Sequence, residues 1–102
     1  MSLTRDQILA VDDLARETVD VPEWGGDVVV RTMTGAERMA MAESYLEASR
    51  ENPDEPFHLH LLAATLCDEG GARLFQPDDV ARLGERNGAV IEQLIGVARR
   101  LN

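Results

Sequence analysis

ETVDVPEWGGDVVVRTMTGAE, residues 17–37, carries three structural signals in a row. Thr18, Val19 and Val21 lead into a break made by Pro22, Gly25 and Gly26, and Val28, Val29 and Val30 lead out of it. β-Branched runs on either side of a Pro/Gly break mark a β-hairpin. Its strands are expected over about residues 18–21 and 28–32. Along the first, Val19 and Val21 alternate with Thr18 and Asp20, which gives one apolar and one wet face. Thr34-Gly35-Ala36-Glu37 then reads as a capping box, in which the Thr hydroxyl and the Glu carboxylate each satisfy an orphan backbone amide at a helix start. Two strands alone are marginal in water, so the hairpin must lie on helices or pair with another chain.

Upstream of the hairpin, residues 4–11 read as a short helix, with Thr4 and Gln7 able to form a capping box and Ile8, Leu9 and Val11 giving an apolar side. Downstream, a helix is expected over residues 36–50. Met39, Ala42, Leu46 and Ser49 follow a 3, 4, 3 spacing, with Ala36 one turn earlier. Met41 and Tyr45 form a second i, i+4 pair on a neighbouring face. Asn52-Pro53-Asp54-Glu55-Pro56 is a polar break. FHLHLLAATLC, residues 57–67, is apolar on two adjoining faces, which points to a central helix stopped at Asp68-Glu69-Gly70-Gly71. Pro77, Asp78 and Asp79 open a further helix, where Pro suits the first turn and acids suit the positive end of the dipole. Asn87-Gly88 makes a turn before a last helix over residues 89–101. Its stripe is Val90, Leu94, Val97 and Leu101, with Ile91, Ile95 and Ala98 beside it. The fold class expected is mainly α (α+β): one domain over residues 1–102, of about four to five helices with one N-terminal β-hairpin.

The 102 residues carry 19 Asp and Glu against 10 Arg and no Lys, a formal net charge of −9. That argues against general nucleic-acid binding, which needs clustered cations to meet phosphates. A single cysteine, Cys67, excludes an internal disulfide and fits a reducing compartment. No apolar run reaches the length of a membrane helix and the N-terminus has no signal-peptide pattern, so a soluble cytoplasmic protein is expected.

No constellation announces catalysis. His58 and His60, two apart in a helix, point to different sides and share a metal poorly, and no second cysteine completes a zinc set. The acid pairs Asp12-Asp13, Asp68-Glu69 and Asp78-Asp79 fit solvated loops and helix first turns. Asp68-Glu69-Gly70 lacks the alternating ligands of a calcium loop, and the paired glycines lack the Lys of a phosphate loop. No enzyme, metal or cofactor is expected. Trp24, in the hairpin turn, either covers one end of the core or serves as an aromatic anchor for a partner. Met33, Met39 and Met41 cluster near one helix, as core packing or as the adaptable side chains of a binding surface.

The order of motifs resembles the tail assembly chaperones of long-tailed bacteriophages and prophages. It is carried by LTRDQILAVDDL (3–14), by VDVPEWGGDVVVRTMTGAER (19–38) and by LLAATLCDEGGARLFQPDDVARLGERNGAVIEQLIGVARRLN (61–102). The most specific parts are VPEWGG…VRTMTGAER and CDEGGARLF…DVARLGE. The resemblance implies a non-enzymatic protein of the host cytoplasm that is absent from the mature virion. It implies two partners, the tape measure protein, which is coated and kept soluble, and the tail tube protein, which is recruited. In many such phages a programmed frameshift also makes a longer form with a C-terminal extension, whose polar, low-complexity sequence is not visible in these residues. Apolar helix faces or an open hairpin edge would engage amphipathic helices of the tape measure, with Trp24, Met39, Met41, Tyr45 and Leu46 as candidate contacts. Self-association through the hairpin edge is a further expectation. The alternative readings are an acidic inhibitor that mimics DNA, which the charge would suit, and a small regulatory interaction module.

Overall fold

The computed structural model describes residues 1–102. In chain order it contains α1 (Arg5–Leu9), β1 (Arg16–Val21), β2 (Gly26–Arg31), α2 (Gly35–Glu51), α3 (Phe57–Thr65), β3 (Leu66–Cys67), α4 (Val80–Leu83) and α5 (Gly88–Leu101). Five helices and one small antiparallel sheet make this an α+β fold dominated by helix.

The hairpin forms as its residues dictate. β1 and β2 pair antiparallel with Val19 opposite Val28 and Glu17 opposite Val30. Pro22–Trp24 make a single 3-10 turn, closed by Gly25 at φ 77°. That left-handed conformation is one that glycine adopts at little cost. Val19, Val21 and Val30 are buried, while Thr18 and Asp20 face outward.

The sheet has a third strand that the apolar pattern concealed. The helix expected to run to Cys67 ends at Thr65, and Leu66 and Cys67 extend alongside β2, opposite Val30 and Val29. The Thr65 hydroxyl donates to the carbonyls of Leu61 (3.0 Å) and Leu62 (3.1 Å), a local bond that competes with continuation of the helix. β2 thus becomes the middle strand, and one open edge of the hairpin is filled from within the chain.

The core lies between the sheet and α3 and α5. Residues 61–67 are all buried, and Leu62 on α3 and Leu94 on α5 are fully enclosed. Burial of each such leucine stabilises the fold by roughly 1.5–3 kcal/mol. Val90, Ile91, Leu94 and Ala98 form the inward face of α5, with Val97 and Leu101 half-buried at its margin. Asn87 caps that helix by accepting from the amides of Ala89 (3.0 Å) and Val90 (3.2 Å).

Two apolar faces lie outside the core. α1 has its capping box, Gln7 N–H to Thr4 Oγ1 at 3.2 Å and Thr4 N–H to Gln7 Oε1 at 2.9 Å. Its apolar side covers nothing, however: Ile8, Leu9 and Val11 are each more than half exposed. On α2 the inward face is not the stripe of Met39 and Leu46, which are 72% and 57% exposed. Met41 turns inward and is buried, and Tyr45 is half-buried beside it. Both faces satisfy the helical period, and the one that lies against α3 wins.

Candidate functional site

The joint between β2 and α2 fixes the surfaces around it. Thr34 Oγ1 accepts from the Glu37 amide (3.1 Å), and Glu37 Oε1 accepts from the Thr34 amide (2.9 Å). The same Glu37 carboxylate takes both terminal nitrogens of Arg31, the last residue of β2, with Arg31 Nη1 at 2.8 Å from Oε1. The cap of a helix and the end of a strand are therefore tied through one carboxylate. The guanidinium, and then the Thr34 hydrogen bonds, hold the Glu37 carboxyl well below the ordinary carboxylate range, at about 2, against an opposing effect of burial. The bond to Glu37 pushes the Arg31 guanidinium up in turn.

The end of α5 is stitched to the same joint. Asn102 Oδ1 accepts from the Met33 amide (2.8 Å), and its side-chain nitrogen donates to the carbonyls of Ala98 (2.8 Å) and Arg31 (3.2 Å). The Thr32 hydroxyl donates to the Leu101 carbonyl (3.0 Å). Arg100 clamps both oxygens of Glu17 on β1, at 2.6 and 2.7 Å.

Between α2, α3 and the end of α5 this architecture leaves a groove of about 410 Å³. Buried Met33, Met41 and Leu61 form its floor, with Ala42 and Phe57 on its sides. Arg38, His58 and Arg99 are the exposed residues around it. Tyr45 braces the adjacent helix contact, packed edge-on against Phe57 (5.1 Å) and His60 (5.6 Å). His60 is buried and bonds Glu55 through Nε2 at 2.8 Å, which lowers the Glu55 pKa.

A second, larger cleft of about 860 Å³ opens beside the hairpin turn. Trp24 is half-buried there, packed against the edge of the core, with Leu74, Phe75 and Leu83 nearby. Glu23, Asp79 and Glu85 share that cleft with Arg82 and Arg86, so its charges are mixed.

The five residues singled out from the sequence do not form one surface. Trp24 lines the cleft at the hairpin, whose other walls come from the segment 74–87. Met39 and Leu46 lie exposed on the outer face of α2. Met41 is in the floor of the groove and Tyr45 in the packing behind it. Phe57, 41% exposed, and the cations Arg38 and Arg99 escaped the sequence reading. Phe57 reads as the first residue of a core helix, and a cation such as Arg99 in the last turn of a helix suits the negative end of its dipole without any partner. The buried thiol of Cys67 is unpaired, and burial pushes its pKa up. No group of three or more His, Cys, Asp or Glu is placed to hold a metal ion. No helix is long and apolar enough to cross a membrane.

A family model described as phage tail assembly chaperone matches residues 4–102. Among solved structures, the tail assembly chaperone of bacteriophage HK97 is similar over 95% of this chain and 91% of that one, with a TM-score of 0.62 and 26% sequence identity. No curated protein sequence matches the chain.

Proposed function

We propose, because the chain belongs to the phage tail assembly chaperone family, that it binds a tape measure protein, keeps it soluble and helps to recruit tail tube subunits during tail morphogenesis. The family match over residues 4–102 carries this reading. The work is done by binding alone, in the host cytoplasm, and the protein leaves before the virion is complete.

The physical features support a chaperone of this kind. A client that is long and apolar aggregates unless its apolar faces are covered, and an acidic carrier in excess repels its own copies and remains dispersed. The net charge of −9 supplies that repulsion. Apolar contact area is available on the outside of the molecule at Met39, Leu46 and Phe57 and on α1 at Ile8 and Leu9.

Co-expression with a tape measure protein from the same phage or prophage tests the proposal. The tape measure protein is expected in the soluble fraction, and in the same gel-filtration peak, only when this chain is present. A tape measure protein that stays insoluble in the presence of an excess of the folded chain refutes tape measure binding.

A further inference from the structure

The groove between α2, α3 and the end of α5 has a charge opposite to that of the whole molecule, and we infer that it seats an amphipathic helix of the client whose apolar side chains are flanked by carboxylates. The inference rests on the client-binding reading above and gives that client a chemistry. The chain has 19 acidic side chains, yet none of them lines this groove, where Arg38, His58 and Arg99 stand exposed. The five side-chain ion pairs of the protein use none of these three residues, and the one hydrogen bond among them runs from Arg38 Nη1 to the Asn102 carbonyl oxygen (3.2 Å). The cleft at Trp24, by contrast, already compensates its cations with Glu23, Asp79 and Glu85.

The shape selects a helix. The walls are two helices and a helix end, with no free strand edge among them, so backbone pairing is not offered and side-chain anchors must do the binding. About 410 Å³ accepts a few apolar side chains projecting from one helix face. The methionines of the floor adjust to anchors of varied shape. Carboxylates at the margin of such a helix meet guanidinium groups that donate two parallel hydrogen bonds.

Two synthetic helical peptides of equal length distinguish the possibilities. They carry the same Leu and Met anchors at i, i+3, i+4 and i+7, one flanked by Glu and the other by Lys. Fluorescence anisotropy with the full chain is expected to show the Glu peptide binding at least about tenfold tighter. The double variant His58→Glu, Arg99→Glu, altered only at exposed positions, is expected to reverse the preference while keeping the folded circular-dichroism spectrum and a cooperative melt. Ala42→Trp, which fills the groove, is expected to weaken both peptides. Equal affinities, or a preference unmoved by the double variant, overturn the inference. Loss of self-association in the double variant with peptide selection intact assigns the groove to a second copy and also overturns it. Solubilisation of the tape measure protein by the same proteins separates the two levels. Failure by the unaltered chain, with the Glu peptide still selected, sinks the chaperone reading and leaves the groove chemistry standing. Undiminished solubilisation by the double variant removes the client from the groove.

Discussion

Glu37→Gln isolates one charge at the joint on which the fold turns. Gln in that position can still return a carbonyl oxygen to the Thr34 amide, so the capping box survives while the ion pair with Arg31 is lost. The folded protein holds the Glu37 carboxyl at about 2, against an ordinary value of 4.5. At about 1.4 kcal/mol per unit, that difference sets an upper bound of about 3.5 kcal/mol on the contribution of the charged form. The Glu37 side chain is 30% exposed, so solvent screening reduces the expected cost of the substitution to about 2 kcal/mol. Arg31, 9% exposed, loses its counter-charge in the variant, which keeps the cost from falling much lower. In urea the midpoint should drop by about 1–2 M at pH 7. The sign of the pH dependence follows from a folded pKa below the unfolded one. The contribution is fully present above about 4.5 and is lost as pH falls toward about 2. The gap between the parent chain and Glu37→Gln should therefore shrink by more than half between pH 7 and pH 3. A gap of the same size at both pH values, or none at pH 7, refutes the assignment of the stabilisation to this carboxylate.

Met39→Ser and Leu46→Ser should each leave stability within about 0.5 kcal/mol of the parent, since both side chains are exposed, whereas Met41→Ser should cost about 2–4 kcal/mol by opening the floor of the groove and burying a hydroxyl there; thermal melts of the three variants check this. A Met41→Asp substitution therefore unfolds the chain rather than reporting on binding. Asn87→Ala removes the cap that bonds the amides of Ala89 and Val90 and should lower stability by about 1 kcal/mol, measured by chemical denaturation.

The hairpin, both capping boxes and the last helix were legible in the sequence because each is written in local chemistry. A Pro/Gly break, a hydroxyl three residues before a carboxylate or amide, and an Asn before an apolar stripe all act over a few residues. The third strand was not, because Leu66 and Cys67 continue an apolar run and nothing local distinguishes a buried strand from a buried helix. Their conformation is decided by Val29 and Val30, more than thirty positions away. The inward face of α2 was hidden for a related reason. The stripes of Met39 with Leu46 and of Met41 with Tyr45 both obey the helical period, and only the position of α3 chooses between them. The candidate site inherits that ambiguity. Arg38, Phe57, His58 and Arg99 are spread over 62 positions of sequence and become neighbours only through the packing of α2, α3 and α5.

The distribution of charge separates a carrier of apolar clients from a mimic of DNA. A mimic must present rows of free carboxylates at the spacing of phosphates. Here Glu37 is committed to Arg31, Glu17 to Arg100 and Glu55 to His60, each through an oxygen within hydrogen-bond distance. Arg5 bonds Asp6 at 2.8 Å, and Arg82 lies 3.8 Å from Asp79. Two of these pairs, Glu37 with Arg31 and Glu17 with Arg100, tie separate elements together, and all five interleave cations with the acids, so the carboxylates do not stand in unbroken rows. The groove inverts that sign locally over an apolar floor. Under the inference above, a client helix with flanking acids would be repelled by the surface at large and accepted at this one place.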